Sequence, residues 1–568
     1  MNVSDLIPVL VFPCVLTVAA IFLGEYMAKV FSGEHTVLTP LLSVPEQFLY
    51  RLFGVNEHDE MSWKTYAWAF LVLHVIGIAV LFLLQMLQGF LPFNPQRFGP
   101  VRWDIALNTA VSFVTNTNWQ AYGGEQTMSY LTQMLGLTVQ NFLSAAVGIA
   151  PAIALIRGFA RKEASTIGNF WVDLTRSILY ILLPLSLVWS LVFVSQGVVQ
   201  TLHPPVEVLT LEGQKQLLSV GPVASEEAIK QLGTNGGGFF NTNSAHPFEN
   251  PTPLTDCMGI LGLLLIPAAF PFTFGAMLKN RGQGRALYVS MMLLYIIGLG
   301  LIIGAEIQGN PLLEKVGIIG GVNMEGKEVR FGIVNSVLFA QSTTATSCGA
   351  VNSMHDSLMP LSGLILIFNI AIGEVIFGGV GTGLISMLAY AVLTMFIAGL
   401  MIGRTPEFIG KKLESFEMVM SIVIILSPAL LLLVLSGVAI STQAGLEGLT
   451  NAGPHGLSEI LYAYASTAGN NGSAFGGLNA TTLFYTLTTS VAMVVGRLST
   501  VIPALAIAGL LASKKIVPGS IATFPTTGTL FIVMLVSVVI IVGALTFFPV
   551  LTLGPFIEHL QMCAGKAF

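Results

Sequence analysis

Ten stretches of this chain are long and apolar enough to cross a lipid bilayer, and no other feature narrows its possible folds so far. A crossing helix needs about 20 mostly apolar residues. Segments 6–31, 65–88, 128–156, 170–196, 254–278, 285–308, 357–402, 416–441, 481–512 and 528–554 meet that requirement. Only 9% of the 568 residues are charged, against about 25% in soluble proteins, so polar groups cannot cover a water-facing surface. In lipid the backbone must satisfy its own hydrogen bonds, which favours helices. The expected fold is an all-α polytopic membrane protein with ten transmembrane helices.

Composition closes off other classes. Net charge is −5 and no Lys/Arg-rich run is present, which argues against nucleic acid as a partner. Cys14, Cys257, Cys348 and Cys563 are scattered, with no CxxC or Cys/His cluster, and point to neither a disulfide framework nor a zinc site. The chain opens MNVSDLIPVLVFP, with Asp5 where a signal peptide carries Lys or Arg, so the first apolar stretch is expected to be a retained span. There is no GxxxxGK(S/T) phosphate loop and no DKTG-like aspartyl-phosphate motif. If ATP drives this protein, another chain hydrolyses it.

Basic residues orient the spans. Lys29 and the connections between spans 1–2, 3–4, 5–6, 7–8 and 9–10 hold fourteen of them: Arg51 and Lys64; Arg157, Arg161 and Lys162; Lys279, Arg281 and Arg285; Arg404, Lys411 and Lys412; Lys514 and Lys515. The longer opposite connections hold seven: Arg97, Arg102, Lys215, Lys230, Lys315, Lys327 and Arg330. Short basic connections face the cytoplasm, so both termini are expected outside.

The long connections share one form: a short helix-like run followed by a loop rich in Thr, Asn, Ser and Gly. They read DIALNTAVSFVTNTNWQAYGG (104–124), SEEAIKQLGTNGGGFFNTNS (225–244), GIVNSVLFAQSTTATSCGAVNS (332–353) and LSEILYAYASTAGNNGSAFGG (457–477). With Thr115, Thr234, Thr346 and Asn470 as markers, they recur at a period that signals a repeated membrane unit. The units are expected over 65–169, 170–284, 285–414 and 415–515, flanked by 1–64 and 516–568. Ten to twelve helical residues reach roughly 15–18 Å, about half the hydrocarbon core. The chain would descend halfway as a helix and return as irregular backbone, which survives at that depth only if buried in protein or lining a watery path. Four such loops around one axis would gather carbonyl dipoles and helix C-termini into a site for a desolvated monovalent cation. Gly236, Gly237, Gly238, Gly349 and Gly472 suit close or positive-φ backbone, with Thr, Ser and Asn bracing the loops from behind.

These loops resemble the selectivity-filter loops of the Kdp family of potassium-binding subunits, within the wider superfamily of potassium transporters. The resemblance rests on TNTNWQ (115–120), GTNGGGFFNTNSAHPFENPT (233–252), TSCGAVNSMHDS (346–357), GEVIFGGVGTG (373–383), IGRTPEF (402–408) and GNNGSAFGGL (469–478). It covers essentially the whole chain, in order. It implies a potassium-binding subunit of an ATP-driven uptake pump in a bacterial inner membrane. A separate P-type ATPase subunit would use the ATP, and a single-span subunit and a small membrane peptide would complete the complex. No covalently bound cofactor is implied, and potassium is the transported ion. Carried over by motif, the filter residues are Thr115, Asn116, Thr117 and Asn118; Thr234, Asn235 and Gly236; Ser347, Cys348 and Gly349; and Asn470, Asn471 and Gly472. Gln120 would sit at the outer mouth, and Asn118 and Gln120 would offer side-chain amides there. Repeat one has no glycine in its core, so the four edges are chemically unequal.

Polar residues inside apolar spans add detail. Arg497 lies midway along span 9, where a charge costs ~2.5 kcal/mol or more. It is either a structural partner of a carboxylate or a tethered cation below the filter that repels potassium; the second reading is preferred. Span 7 is twice the length a crossing needs, and its middle holds Glu374, Gly378, Gly379, Gly381 and Gly383. A broken helix with an intramembrane loop beneath the filter is expected, with loose packing as the alternative. Asp173 and Arg176 share a helix face and are explained by local pairing or snorkelling.

Outside the spans, 206–218 and 322–332 look like hairpins with Glu-Gly turns. Glu125, Glu226, Glu227, Glu249 and Asp256 either concentrate cations at the mouth or form a solvated surface. His355 and Asp356 are expected to pair with each other, without further ligands for a metal. The rival to the pump subunit is a stand-alone potassium transporter or channel of the same superfamily, paired with a soluble regulatory ring. A membrane-embedded enzyme would need a nucleophile–base set that the sequence lacks.

Overall fold

The computed structural model describes residues 7–315, 317, 322–403, 405–517 and 524–566; Asp5 and Arg404 lie outside them. Among the described residues ten helices are long and apolar enough to cross a membrane: Ile7–Phe31, Trp63–Phe90, Thr132–Ala160, Phe170–Ser195, Pro253–Met277, Arg281–Leu313, Thr382–Ile402, Ser415–Ser441, Leu483–Ser513 and Thr529–Cys563. The third is buried almost throughout, whereas the first and last bury only a minority of their side chains. Small residues make that central position possible. Ala145, Ala146, Ala150, Ala152 and Ala154 are fully buried along the third span, where they let neighbouring backbones approach. Leu10, Phe22, Leu545 and Phe548 lie exposed on the outer spans, as lipid contact requires.

Four shorter helices enter from one side, here termed the loop face: Trp103–Val114, Val223–Leu232, Gly332–Ala345 and Gly453–Ala468. Their 10 to 16 residues reach roughly 15–24 Å, too short to cross. Asp104 occupies the first turn of the first, where a carboxylate complements the helix dipole. Each short helix lies between two spans, so the chain is an all-α polytopic membrane protein of four helix–pore loop–helix repeats with one extra helix at each end.

The seventh span is broken. Pro360–Ala371 enters as one helix, and the chain resumes helix only at Thr382. Between them Gly373, Glu374, Phe377, Gly378 and Gly381 all have positive φ. A Cβ on Gly383 would lie 1.6 Å from the Phe377 carbonyl oxygen, so the returning loop passes where only glycine leaves room. The Glu374 carboxylate accepts from Thr382 Oγ1 (2.6 Å) and Gly379 N (3.3 Å), tying the loop to the start of the resumed helix.

Among the connections, Val206–Leu209 pairs antiparallel with Lys215–Leu218, and Gly213 takes the left-handed turn position. The expected hairpin over 322–332 does not form. Its Lys327 instead bridges to Ser353 and buries its ammonium 3.0 Å from Glu306, so a buried ion pair holds the segment against the sixth span. Helix Thr39–Phe53 was not anticipated; Leu41, Val44, Phe48 and Leu52 form an exposed apolar stripe on it. A tight turn at Ile409–Gly410 joins Glu407–Phe408 to Lys411–Lys412. It carries buried Lys411 onto the carbonyls of Gly158, Arg161 and Leu511, capping the ends of the third and ninth spans.

Candidate ion-binding site

The four pore helices end at equivalent points, with C-caps Thr115, Gly233, Thr346 and Gly469. This corrects the register read from sequence: Thr234 and Asn470 stand one residue beyond the position held by Thr115 and Thr346. In the corrected register Asn116, Thr234, Ser347 and Asn470 are equivalent, as are Asn118, Gly236, Gly349 and Gly472. Left-handed backbone recurs at both positions in three loops, at 116 and 118, 234 and 236, and 470 and 472. Asn118 (φ 54°) stands where the three other loops have glycine, and Asn tolerates that region better than most side chains. The third loop differs, because neither Ser347 nor Gly349 has positive φ.

The loops meet one another edge to edge. A Cβ on Gly236 would lie 2.0 Å from Gly349 N, one on Gly349 2.7 Å from the Gly472 carbonyl carbon, and one on Gly472 1.7 Å from Thr117 O. Hydrogen bonds close the same circuit. Asn116 Nδ2 donates to Gly233 O (3.3 Å) and Thr234 O (3.2 Å). Gly349 N donates to Asn235 O (3.4 Å). Asn471 Nδ2 donates to Thr343 O (2.9 Å) and Thr346 O (2.8 Å), and Asn470 Nδ2 to Thr117 Oγ1 (2.8 Å). Loops one, two, three and four are thus linked in sequence and back to one.

The polar side chains mostly brace. Asn235 Nδ2 donates to Asn116 Oδ1 (2.6 Å), which also accepts from Ser144 Oγ (2.8 Å). The Thr115 and Thr117 hydroxyls bond each other at 2.8 Å. Ser347 Oγ reaches Gly469 O at 3.5 Å. Buried Cys348 packs its Sγ against Lys230 O (4.0 Å). The Asn118 amide donates to Asn141 Oδ1 (2.6 Å). The Gln120 amide exchanges two hydrogen bonds with Gly238, at 3.0 and 3.1 Å. Both amides therefore hold protein groups.

Several supports were missed. Asn141 and Ser144 come from the third span, Ser466 Oγ accepts from Gly472 N (3.0 Å), and Asn243 Nδ2 donates to Gly236 O (2.7 Å). Asn243 and Ser466 carried a signal, since both lie within the recurring pore segments; Asn141 and Ser144 carried none. Glu226, Glu227, Glu249 and Asp256 are buried and so form neither a cation-gathering mouth nor a solvated surface. Glu227 and Glu249 instead clasp fully buried Lys230 at 2.5 and 2.6 Å behind loop two, and Glu249 also accepts from Phe240 N (2.9 Å).

On the far side of the loop circuit, the broken seventh span crosses beneath the loops. Gly378 N donates to Ala345 O (2.9 Å), at the end of the third pore helix, and Val380 N to Thr234 Oγ1 (3.1 Å). A Cβ on Gly379 would lie 3.1 Å from Ser347 Cβ. Buried Arg497 donates from Nη2 to Ser144 O (3.2 Å), while its Nε has no partner. Among the described residues no carboxylate lies within 4 Å of Arg497.

Two expected local pairs are replaced by long-range ones. Asp173 binds Arg157 bidentately at 2.6 and 2.7 Å, while Arg176 binds Glu46 at 2.8 Å. His355 bonds Tyr462 Oη (2.8 Å), while Asp356 bonds His455 Nε2 (2.7 Å). Each choice brings two elements together that adjacent residues could not.

The family model described as "Potassium-transporting ATPase A subunit" matches residues 10–560. The chain belongs to this family. It is 56% identical over 546 residues to the potassium-transporting ATPase potassium-binding subunit of Methylorubrum extorquens, covering 96% of this chain and 95% of the relative. The subunits of the same name from Solibacter usitatus and Mesorhizobium japonicum are each 53% identical, with both chains covered in full. The crystal structure of the potassium transporter TrkH from Vibrio parahaemolyticus shares the fold, with a TM-score of 0.53 at 14% identity, over 88% of this chain and 97% of that one.

Proposed function

We propose that this chain binds and selects potassium for an ATP-driven, high-affinity uptake pump. The observation that carries the reading is the closed circuit of four pore loops, each at the C-terminal end of a pore helix. Alternating left-handed backbone can turn successive carbonyls to one side, and helix C-termini add negative potential, a combination suited to a desolvated monovalent cation. The ion is held by the loop segments Thr115–Asn118, Thr234–Gly236, Ser347–Gly349 and Asn470–Gly472, with Asn118 and Gln120 acting through the backbone they fix. The names of the full-length relatives support potassium as the ion and an ATPase as the setting.

In this reading the loop face and both termini lie outside a bacterial inner membrane, and the basic connections face the cytoplasm. A P-type ATPase subunit hydrolyses the ATP, accompanied by a single-span subunit and a small membrane peptide. The units 65–169, 170–284, 285–414 and 415–515 are the four repeats. Arg497, Glu374, Gly378 and Gly379 form the barrier below the filter, which turns the ion towards the ATPase subunit. A second reading, the stand-alone transporter with a soluble ring, draws on the fold shared with the Vibrio protein. Gentle detergent purification separates the two. Co-elution of a larger chain with potassium-stimulated ATPase activity is expected; potassium flux by this chain with only a soluble ring would overturn the pump reading.

A further inference from the structure

On the loop face, away from the filter, three carboxylates converge on one imidazole. His455 opens the fourth pore helix region; its Nε2 lies 2.7 Å from Asp356 Oδ1 and its Nδ1 2.8 Å from Glu558 Oε1. Glu459, one turn further along the same helix, is fully buried. Its Oε1 accepts from Asn451 Nδ2 (2.7 Å) and Thr450 Oγ1 (3.4 Å), but its Oε2 is buried with no hydrogen-bond partner. Ligand atoms of Asp356, His455 and Glu459 all lie within 4.8 Å of one another.

Among the described residues no Lys or Arg lies within 4 Å of Asp356, Glu459 or Glu558. A single imidazolium cannot balance three carboxylates, and a buried carboxylate oxygen without a partner is costly. We propose that Asp356, His455 and Glu459 bind one divalent first-row cation of the zinc or manganese type. Two carboxylates and one imidazole suit such an ion, with water completing its shell. Glu558 fills the outer role, accepting the Nδ1 proton and thereby aiming Nε2 at the metal, as carboxylates commonly do for metal-bound histidines. The ion would tie the segment following filter loop three to the helix preceding loop four and to the C-terminal helix. Protons compete for the imidazole, so affinity falls on acidification.

The test uses the full-length chain in detergent, stripped with chelator and titrated with Zn2+ by calorimetry and with Mn2+ by electron paramagnetic resonance. One ion per chain and a raised melting temperature are expected. Glu459→Gln and Asp356→Asn should each remove that ion, while Glu558→Gln should weaken it about 10–100-fold without changing the stoichiometry. Asp356 is partly exposed, so its variant serves if Glu459→Gln does not fold. Absence of binding by the wild-type chain overturns the site and leaves an imidazolium bridging Asp356 and Glu558. Binding by both carboxylate variants as tight as wild type overturns it equally.

Discussion

Asn470 donates its amide to the hydroxyl of Thr117 across 2.8 Å, joining the fourth pore loop to the first although 353 positions separate them in the chain. The same amide also reaches Met493 O at 2.9 Å, so one side chain fastens the seam between the loops to the ninth span. Thr117→Val and Asn470→Ala should each destabilise the assembled protein by about 1–3 kcal/mol, because a buried polar group loses its partner. The double variant should show a coupling of about 0.5–1.5 kcal/mol. Additive losses in a thermal melt would mean that the bond does not hold the seam.

Gly472→Ala places a methyl 1.7 Å from Thr117 O at a φ of 92°. Strain of about 1–3 kcal/mol in the bound state corresponds to potassium affinity weakened roughly 5–150-fold. Rubidium and ammonium should then compete better. An unchanged ion ranking at equal expression would place the filter elsewhere.

Asn118 sits in left-handed backbone and holds Asn141. Asn118→Gly keeps the backbone and loses only the amide, whereas Asn118→Ala loses both. The glycine variant should have the lower half-saturation concentration for potassium, with near-normal maximal rate in both. Equal half-saturation concentrations, both raised above wild type, would mean that the amide, not the backbone, is what the site needs.

Arg497→Met should leave a well-folded protein, since among the described residues no carboxylate forms an ion pair with it and the carboxylate of Glu374 keeps its hydrogen bonds to Thr382 and Gly379. Removing the fixed charge takes away a repulsion that is strong where the dielectric is low. Rubidium flux without ATP, or ATP hydrolysis insensitive to potassium, is expected from the purified complex in proteoliposomes. Normal coupling with no leak would rule out the barrier role.

Acid should loosen the segment around loop two. Burial, aided by nearby Arg330, pushes the His246 imidazole down to about 4, with Glu328 opposing; its ring stacks on Phe240 at 3.7 Å. An unfolded histidine titrates near 6.5. Between these values the unfolded chain binds more protons, so stability is lost as pH falls through that window. Melting curves at about pH 7 and about pH 4.5 should show a smaller loss for His246→Phe than for wild type. Equal losses would assign the acid sensitivity to other groups.

The spans and loops were legible because their signals are local: an unbroken apolar run, or Thr, Asn and Gly at a short helix end. The broken seventh span was legible for the same reason, since its glycines lie side by side. What escaped was decided by partners distant in the chain. Lys230 looked like a surface charge until Glu249 was brought to it. Asp356 looked paired with its neighbour, but its partner His455 lies 99 positions away. The loop register was misread by one residue because loops two and four carry Gly233 and Gly469 where loops one and three carry Thr115 and Thr346, and only the ends of the pore helices reveal that these positions are equivalent.

The seam between loops four and one also sets an order of events during synthesis. At about 5–20 residues per second, roughly 20–70 s separate the emergence of Thr117 from that of Asn470 at the ribosome. Until then the first loop lacks its last neighbour, and no shorter product of translation can enclose an ion. In the proposed reading a nascent chain acquires its ion-holding ring only after the fourth hairpin has inserted, so ion capture would report complete membrane integration.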